Sequence, residues 1–478
     1  MSNPIPITIH GARIGRRCDV PRVARALAVA AGLVAWLPAP VAAQQCGPTL
    51  AIAASPEANG PAAPDTAVTL RPCLSLETII ARTLANSPAV VGAIGTVRDA
   101  TAARRVAALG AYLPTLVLNG ITGRTDQSIS TSTTTTTTAG AVQTTRGVGV
   151  SALVDVFTGG RRGAQVRQAN AMSRAATAGL VLQRYATIFT ATQGYLDVLR
   201  AHELTRVAVD QVAQAGLGLD YVLRRQAAGT AMTADVLSAQ LAVSMARQAQ
   251  LAASDTLLMT TAALGRLVGA NGPVDAEPTA TLEPTPLRLD DAAIVSLAVA
   301  TSPAVLTSQA VASADTAAVR AAKSLYIPTI AAGAGYNWAT RSSFVGGLRP
   351  GWIIELTTAF PLFDGFLREQ TITQAEVASD VATVTAMDTR RLVGATAVQL
   401  LGNLHVAEHN IELTRESVRL ATENLRIFRL RYSAGISTIL DVLTAQTSLV
   451  QADLSLVSAR FNYRSTRAAL EALLGRPL

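Results

Sequence analysis

The stretch Arg431-Tyr432-Ser-Ala-Gly435-Ile-Ser437-Thr438-Ile-Leu-Asp441-Val-Leu443-Thr444-Ala-Gln446 decides how the chain is read, because it occurs twice. Its counterpart is Arg225-Gln-Ala-Ala-Gly229-Thr-Ala-Met-Thr-Ala-Asp235-Val-Leu237-Ser-Ala-Gln240, with Gly, Asp-Val-Leu and Ala-Gln in register. A long helical pattern precedes each glycine and another follows it. The spacing therefore predicts a helix, a sharp turn and a returning helix, built twice, with Gly229 and Gly435 as the turn hinges. A repeat of this kind governs the fold, and missing it misreads the architecture.

Outward from the turns the punctuation repeats too. Ser75 is placed to cap a helix running to about Gly110, interrupted at Asn86-Ser87-Pro88, where proline removes an amide donor and clashes with the preceding turn. The pattern stops at Tyr112-Leu113-Pro114. The second half runs from Leu289 to Ala300, through Thr301-Ser302-Pro303, on to Ser324, then stops at Tyr326-Ile327-Pro328. The offset is about 215 residues here and 206 at Asp-Val-Leu, so one loop differs in length.

After each Tyr-x-Pro the period changes to two, which means strand. Val148, Val150, Ala152, Val154 and Val156 share one face, opposed by Gly147, Gly149, Ser151 and Asp155, with Leu153 the exception. In the second half Ile330, Ala332, Ala334, Tyr336 and Trp338 oppose Thr329, Gly333, Gly335 and Asn337. Likewise Trp352, Ile354, Leu356 and Phe360 oppose Gly351, Glu355 and Thr357, whereas Thr115 to Arg124 alternates poorly. Each segment has the ~9–11 residues of a tilted membrane-crossing strand. Small residues dominate the polar faces, and Tyr336, Trp338, Trp352 and Phe360 sit near strand ends, which favours a membrane barrel over a soluble sandwich. The polar linker Ser128 to Thr145, with its threonine run, and the shorter Ala339 to Pro350 read as loops pointing the same way.

Each second strand ends in Phe157-Thr-Gly159-Gly160 or Phe363-Asp-Gly365-Phe366, where Gly159, Gly160 and Gly365 are the expected hinges of the strand-to-helix change. Gly159-Gly160-Arg161-Arg162-Gly163 lacks the Walker lysine and is not read as a phosphate loop. No proline interrupts 160–227 or 366–433. Each predicts a helix about 100 Å long at ~1.5 Å per residue. Short helices at 75–110 and 233–265, laid end to end, match the first long one; 289–324 and 438–472 match the second. The expected product is a cylinder wall of antiparallel helices, with strands at one end and Asp-Val-Leu turns at the other.

Composition agrees with distributed amphipathicity: the chain is 49% hydrophobic but only 15% charged, yet no run after residue 45 approaches the ~18–20 apolar residues of a spanning helix. Arg13, Arg16, Arg17, Arg22 and Arg25, an apolar run from Leu27 to Leu37 and Val41-Ala42-Ala43 read as a secretory signal over 1–43. Its removal takes five Arg and one Asp, so the net charge of +8 becomes +4, and nothing reads as a nucleic-acid footprint. Gln44 and Gln45 separate the cleavage site from Cys46, so no lipoprotein signal is expected. Cys46 and Cys73 remain in an oxidising compartment and are candidates for a disulfide, with two free thiols as the alternative. Residues 44–73 form an N-terminal tether, 74–282 a first repeat and 283–478 a second.

Four strands cannot enclose a space, and an open edge in lipid would leave its amides unpaired. Closure requires other copies; two give a filled eight-stranded barrel, three give twelve strands and room for a passage. The fold class is therefore an α+β membrane protein: a long antiparallel α-helical barrel continuous with a transmembrane β-barrel of four strands per chain, twelve in a trimer, with internal duplication.

In their order and duplication, Asn86-Ser87-Pro88 and Thr301-Ser302-Pro303, the two Tyr-x-Pro stops, Phe157-Thr-Gly-Gly160 and Phe363-Asp-Gly365, and the two Asp-Val-Leu turns resemble the TolC-like outer membrane efflux protein family over 74–478. The resemblance implies a Gram-negative outer-membrane homotrimer with a long periplasmic tunnel. Its tip opens when a periplasmic adaptor and an inner-membrane transporter, ABC or proton-driven, engage it. It implies a periplasmic gate at Asp441, Tyr432 and Asp235, weaker or differently built because Ser437 and Thr444 stand where the family has an arginine and a second aspartate. Against this, Thr438-x-x-Asp441 is also a capping box; Asp235 has no Ser or Thr three residues before it, so capping explains it less well. His405-Val-Ala-Glu408-His409 matches an H-x-x-E-H zinc-peptidase pattern, but a third ligand is missing and the repeat counterpart, Leu199 to Glu203, lacks it. No cofactor and no substrate chemistry are expected. The absent lipidation cysteine leans the resemblance toward type I protein secretion rather than a multidrug efflux pump.

Overall fold

A computed structural model describes residues 72–127, 141–278, 284, 287, 289–340 and 348–478. The signal segment and most of the tether, with Cys46, lie outside the described residues, as do 128–140 and 341–347 with the threonine run and Gly346-Gly347. In order the chain forms β1 (Cys73–Leu74), α1 (Leu76–Asn86), α2 (Pro88–Ala108), β2 (Thr115–Gln127), β3 (Ala141–Phe157), α3 (Arg161–Ala227), α4 (Thr233–Leu267) and β4 (Asp275–Ala276). Then follow α5 (Asp291–Thr301), α6 (Pro303–Lys323), β5 (Thr329–Thr340), β6 (Leu348–Ala359), α7 (Leu367–Ser433) and α8 (Ile439–Leu474).

Each short helix restarts at its proline. Pro88 and Pro303 open α2 and α6, where no intrahelical amide is needed and the fixed φ suits the first turn. Ser75 caps α1, its Oγ accepting from Thr78 N at 3.5 Å. The two proline-free stretches became α3 and α7, of 67 residues each, so both are about 100 Å long. End-to-end stacking is visible at both joints. Asn86 Nδ2 donates to the Val268 carbonyl at 2.8 Å, tying the end of α4 to the end of α1, where the chain passes into α2. A Cβ on Gly475 would lie 2.6 Å from Pro303 Cγ, so the end of α8 abuts the start of α6.

The wall is four helices wide. Near the strands the order is α2, α3, α6, α7; near the turns it is α4, α3, α8, α7. Ile79, Val198, Leu264, Val274 and Phe461 centre one core at mid-length, and Ile294, Leu404, Ile411, Tyr463 and Leu470 another. β1 and β4 pair in parallel beside the first core, Asp275 N donating to Pro72 O and Glu277 N to Leu74 O, both at 3.0 Å. His202 Nε2 meets Asp275 Oδ1 there at 2.6 Å. Residues 73 and 74, read in part as tether, are thus strand; two residues are too few to carry a period. Cys73 is disulfide-bonded.

The four long strands make one antiparallel sheet in the order β2-β3-β5-β6. Directly opposed residues share a face. Leu118, Val150, Tyr336 and Trp352 form one such row, and Leu116, Ala152, Ala334 and Ile354 the next. The reverse face carries Asn119, Gly149, Asn337 and Gly351 in one row and Val117, Ser151, Gly335 and Ile353 in another. Three expectations are corrected. β3 begins at Ala141, inside the expected linker, and pairs with β2 as far as Gln127. A bulge between Asp155 and Phe157 displaces Val156, so Phe157 rather than Val156 stands opposite Ile330 on the apolar face. Phe360 falls just beyond β6.

The turn from β3 into α3 is tight. Gly159 has φ of 60°, and a Cβ there would lie 2.6 Å from Ile327 Cβ. Gly159→Ala is expected to cost about 2–5 kcal/mol, combining ~1–2 for left-handed backbone with ~1–3 for overpacking. Urea unfolding of the purified variant measures it; a loss below half the lower bound would contradict the packing described.

Candidate functional site

The far ends of the helices carry the residues that the sequence singled out. After α3 and after α7 the chain closes in the same way. Gly229 (φ 73°) donates to Gln226 O while Thr230 N reaches Arg225 O; Gly435 (φ 76°) donates to Tyr432 O while Ile436 N reaches Arg431 O. Both are left-handed glycine caps that satisfy the last helical carbonyls.

Asp441 is held by its own turn. Its Oδ2 accepts from Ser437 Oγ at 2.8 Å, Thr438 N at 2.9 Å and Thr438 Oγ1 at 2.9 Å, while Asp441 N donates to Thr438 Oγ1 at 3.3 Å. These bonds, first that from the Thr438 backbone, hold its carboxyl below the usual carboxylate range. Because the folded value is depressed, this contribution to α8 is present above the ordinary carboxylate pKa and disappears as pH falls through the lowered one. Hydrogen exchange of the first-turn amides of α8 should quicken relative to mid-helix amides between pH 6 and pH 3; an unchanged ratio would sink the assignment. Asp235 differs from expectation: with Met232 as the capping residue, its Oδ2 still accepts from Met232 N at 3.0 Å. A backbone amide needs no particular side chain at that position, so capping serves Asp235 as well. Thr444 bonds back to the Leu440 carbonyl at 2.8 Å.

The link between the two tips comes from a residue that sequence reasoning did not single out. Arg225 Nη1 donates to the Tyr432 carbonyl at 2.7 Å, and its guanidinium lies 4.8 Å from the Tyr432 ring centroid. Tyr221 packs on the same ring at 5.6 Å. Arg225 thus joins the end of α3 to the end of α7. Arg431, in register with it, lies over Phe428 of its own helix at 5.8 Å, and the position matching Tyr432 is Gln226. Tyr432 itself is 6% exposed, and its hydroxyl is buried without a partner. Burial pushes that phenol up, against the pull of Arg225. Tyr432 therefore contributes its ring and carbonyl; the hydroxyl cannot be reached from outside. Val222, Val236, Leu425, Ile439 and Val442 form the apolar core behind it. A cleft of about 250 Å³ opens beside the ring, walled by Leu217, Tyr221, Ile439 and Val442, with Arg429 Nη2 donating to Gln214 Oε1 at 2.5 Å.

The histidine pattern is drawn elsewhere. His405 Nε2 lies 3.7 Å from Asp291 Oδ1, and His409 Nδ1 lies 3.7 Å from Glu412 Oε2. Among the described residues no group of three or more ligating side chains converges.

The second functional surface is the sheet. Leu116, Leu118, Val148, Val150, Tyr336, Trp338, Trp352, Ile354 and Leu356 are all on one face and all exposed in the single chain. A continuous apolar face bounded by aromatics, on strands of this length, is what a bilayer covers. The fold and this face define a protein of long antiparallel helices that carries, at one end, a four-stranded sheet with a face suited to a bilayer.

The sequence profile of the outer membrane efflux proteins matches residues 79–270 and 294–476. The chain belongs to the outer membrane efflux protein family, so its site is the outer membrane and its helices form a long periplasmic tunnel. It is 29% identical over 334 residues to Protein CyaE of Bordetella pertussis, covering 67% of this chain and 68% of CyaE. It is 27% identical over 122 residues to Outer membrane protein TolC of Escherichia coli, a match covering 26% of this chain and 25% of TolC. The solved outer membrane protein VceC of Vibrio cholerae superposes with a TM-score of 0.71 at 19% identity, covering 84% of this chain and 96% of VceC, a likeness of fold alone.

Proposed function

We propose that three copies of this chain form a duct across the outer membrane and periplasm. It would carry substrate outward from an inner-membrane transporter and its adaptor without acting on it chemically. The observation that carries the reading is the pair of unfinished edges. β2 and β6 have no further partner strand among the described residues, and the helix edges match them, α2 and α4 on one side and α7 on the other. Both helix edges keep apolar side chains in the open: Val106, Leu237 and Leu241 on one, Val384, Leu413 and Leu420 on the other. Edge meets opposite edge, so the contact is heterologous and must close into a ring. Three copies give twelve strands, and each half of the chain supplies two long strands, one long helix and three short helices stacked end to end beside it.

Type I protein secretion is the favoured service. Gln44 and Gln45 stand between the small-residue cleavage site and Cys46, so Cys46 is not placed as a lipidation cysteine, which supports a duct of the unlipidated kind. The family's description as efflux proteins favours the second reading, a multidrug pump.

The test compares culture medium and drug sensitivity of wild-type and deletion strains. Loss of one large secreted protein with sensitivity unchanged is expected; hypersensitivity with an intact secretome would move the assignment to the pump. Within the duct, Asp441, Asp235, Tyr432, Ser437 and Thr444 belong to the tip that opens, and Gly229 and Gly435 to its turns. The His405, Glu408 and His409 peptidase reading would return only if purified protein held zinc that a chelator removed together with peptidase activity.

A further inference from the structure

We infer that the cleft beside Tyr432 is a binding site for a small aromatic anion, an aryl carboxylate or sulfonate of one or two rings. Three helices supply its walls: Leu217 and Tyr221 come from α3, Arg429 and Tyr432 from α7, Ile439 and Val442 from α8. Ile439 and Val442 are buried whereas Leu217 and Arg429 are exposed, so the cleft runs inward from a mouth at the latter pair to an apolar floor. An apolar cavity of ~150 Å³ takes a benzene ring. The roughly 250 Å³ here therefore has room for a fused pair of rings or one ring with a short arm. The Tyr221 and Tyr432 rings, tilted 59° to each other at 5.6 Å, offer aromatic surface to pack on.

The space is kept open by a missing side chain. Gly218 lines the cleft inside α3, and a Cβ built on it meets nothing within 4 Å. Glycine weakens a helix interior. No neighbour packs against it closely enough to require one, so what Gly218 supplies is room.

The charge of the ligand follows from Arg429. Earlier on α7, Arg419 and Arg426 are each paired with a glutamate, Glu416 and Glu423, at 2.6 Å. Arg429 instead donates to the neutral Gln214 Oε1, and among the described residues that line the cleft there is no carboxylate. Desolvation pushes its guanidinium down from the ordinary arginine value, with no acid offsetting the loss. An apolar slot with an unmatched guanidinium at its mouth selects a ring that carries a negative charge. A neighbouring copy does not cover it. Arg429 follows the edge residue Leu420 by nine positions, about two and a half turns at ~3.6 residues per turn, and so lies on the opposite side of α7.

The bound ring touches α3, α7 and α8 at once, beside the bond from Arg225 to the Tyr432 carbonyl. It therefore braces α3 against α7 and favours this arrangement of the helix ends over any in which they separate.

Full-length protein in detergent is dialysed to equilibrium against 2-naphthoate, and against 2-naphthalenemethanol as a neutral ring of similar size. Wild type is expected to hold one naphthoate per chain beyond the uptake of empty micelles. Gly218→Leu puts a side chain into the cleft while favouring the helix, and should abolish that saturable binding. Arg429→Gln should weaken naphthoate about tenfold or more and leave the alcohol unchanged. Hydrogen exchange on the same samples verifies that both variants are folded. In wild type, naphthoate should slow exchange in the last turns of α3 and α7. Equal uptake by wild type and folded Gly218→Leu, or an alcohol held as tightly as the acid, would overturn the site. Saturable binding with unchanged exchange would overturn the brace. Neither measurement depends on the three-copy duct, so a chain that carried no substrate would leave the site standing.

Discussion

Ile354→Arg should remove the protein from the outer membrane. Ile354 lies in the middle of β6, opposite Ala334, on the exposed apolar face of the sheet. An arginine at bilayer mid-depth on the lipid side of a barrel costs about 2–4 kcal/mol. With the three copies proposed above this comes to about 6–12 kcal/mol per barrel, comparable with the whole ~5–15 kcal/mol stability of an ordinary domain. Ser151→Arg is the control. Ser151 lies mid-strand in β3, two strands away in the same sheet, but on the reverse face, opposite Val117 and Gly335, where the barrel reading puts water. Density fractionation of membranes and the yield of heat-resistant oligomer read both variants. Loss of the first with retention of the second is expected. Equal loss would mean that the two faces are not lipid and lumen.

What the sequence revealed follows from how far each signal spreads along the chain. The two long helices were legible almost to the residue, since proline is absent from all of 160–227 and 366–433 and a cap stands at each end. β3, β5 and β6 were legible because one face is apolar and the other mostly small. β2 was not, because Leu116 and Leu118 alternate with Val117 and Ile121, and apolar side chains on both faces erase the period. β1 and β4 are two residues each, and their pairing is settled by backbone bonds between segments about two hundred residues apart. At the tip, the capping role of Asp441 was readable because Thr438 advertises it. That of Asp235 was missed because its donor is the Met232 amide. Arg225 was missed for a similar reason. Its partner is a carbonyl, which any residue carries, and only the Tyr432/Gln226 mismatch between the two repeats hinted that one tip differs from the other.

That mismatch makes Arg225→Ala the substitution with the largest expected effect on the closed duct. The side chain gives the Tyr432 carbonyl a charge-assisted bond and covers the ring. Such a bond is worth about 1.5–3 kcal/mol, and a partly exposed cation–π contact adds about 0.5–1. Losing both would weaken the tie between α3 and α7 by about 2–4 kcal/mol per copy. If the three tips open together, the sum of about 6–12 kcal/mol exceeds the ~5.5 kcal/mol that carries a two-state equilibrium from 1:99 to 99:1. Resting conductance in a planar bilayer should therefore rise from nearly closed to largely open. Three comparators separate this from general damage. Tyr432→Phe should leave conductance low, since the hydroxyl it removes is buried and unpartnered. Tyr432→Ala should open the tip, because it removes the ring that Arg225 and Tyr221 clasp. Asp441→Asn together with Asp235→Asn should raise conductance less than Arg225→Ala, because each carboxylate is engaged by the amide of its own turn. If the double aspartate variant opened fully while Arg225→Ala stayed closed, the lock would lie in contacts between copies around the axis, and the tie within each chain would be only structural.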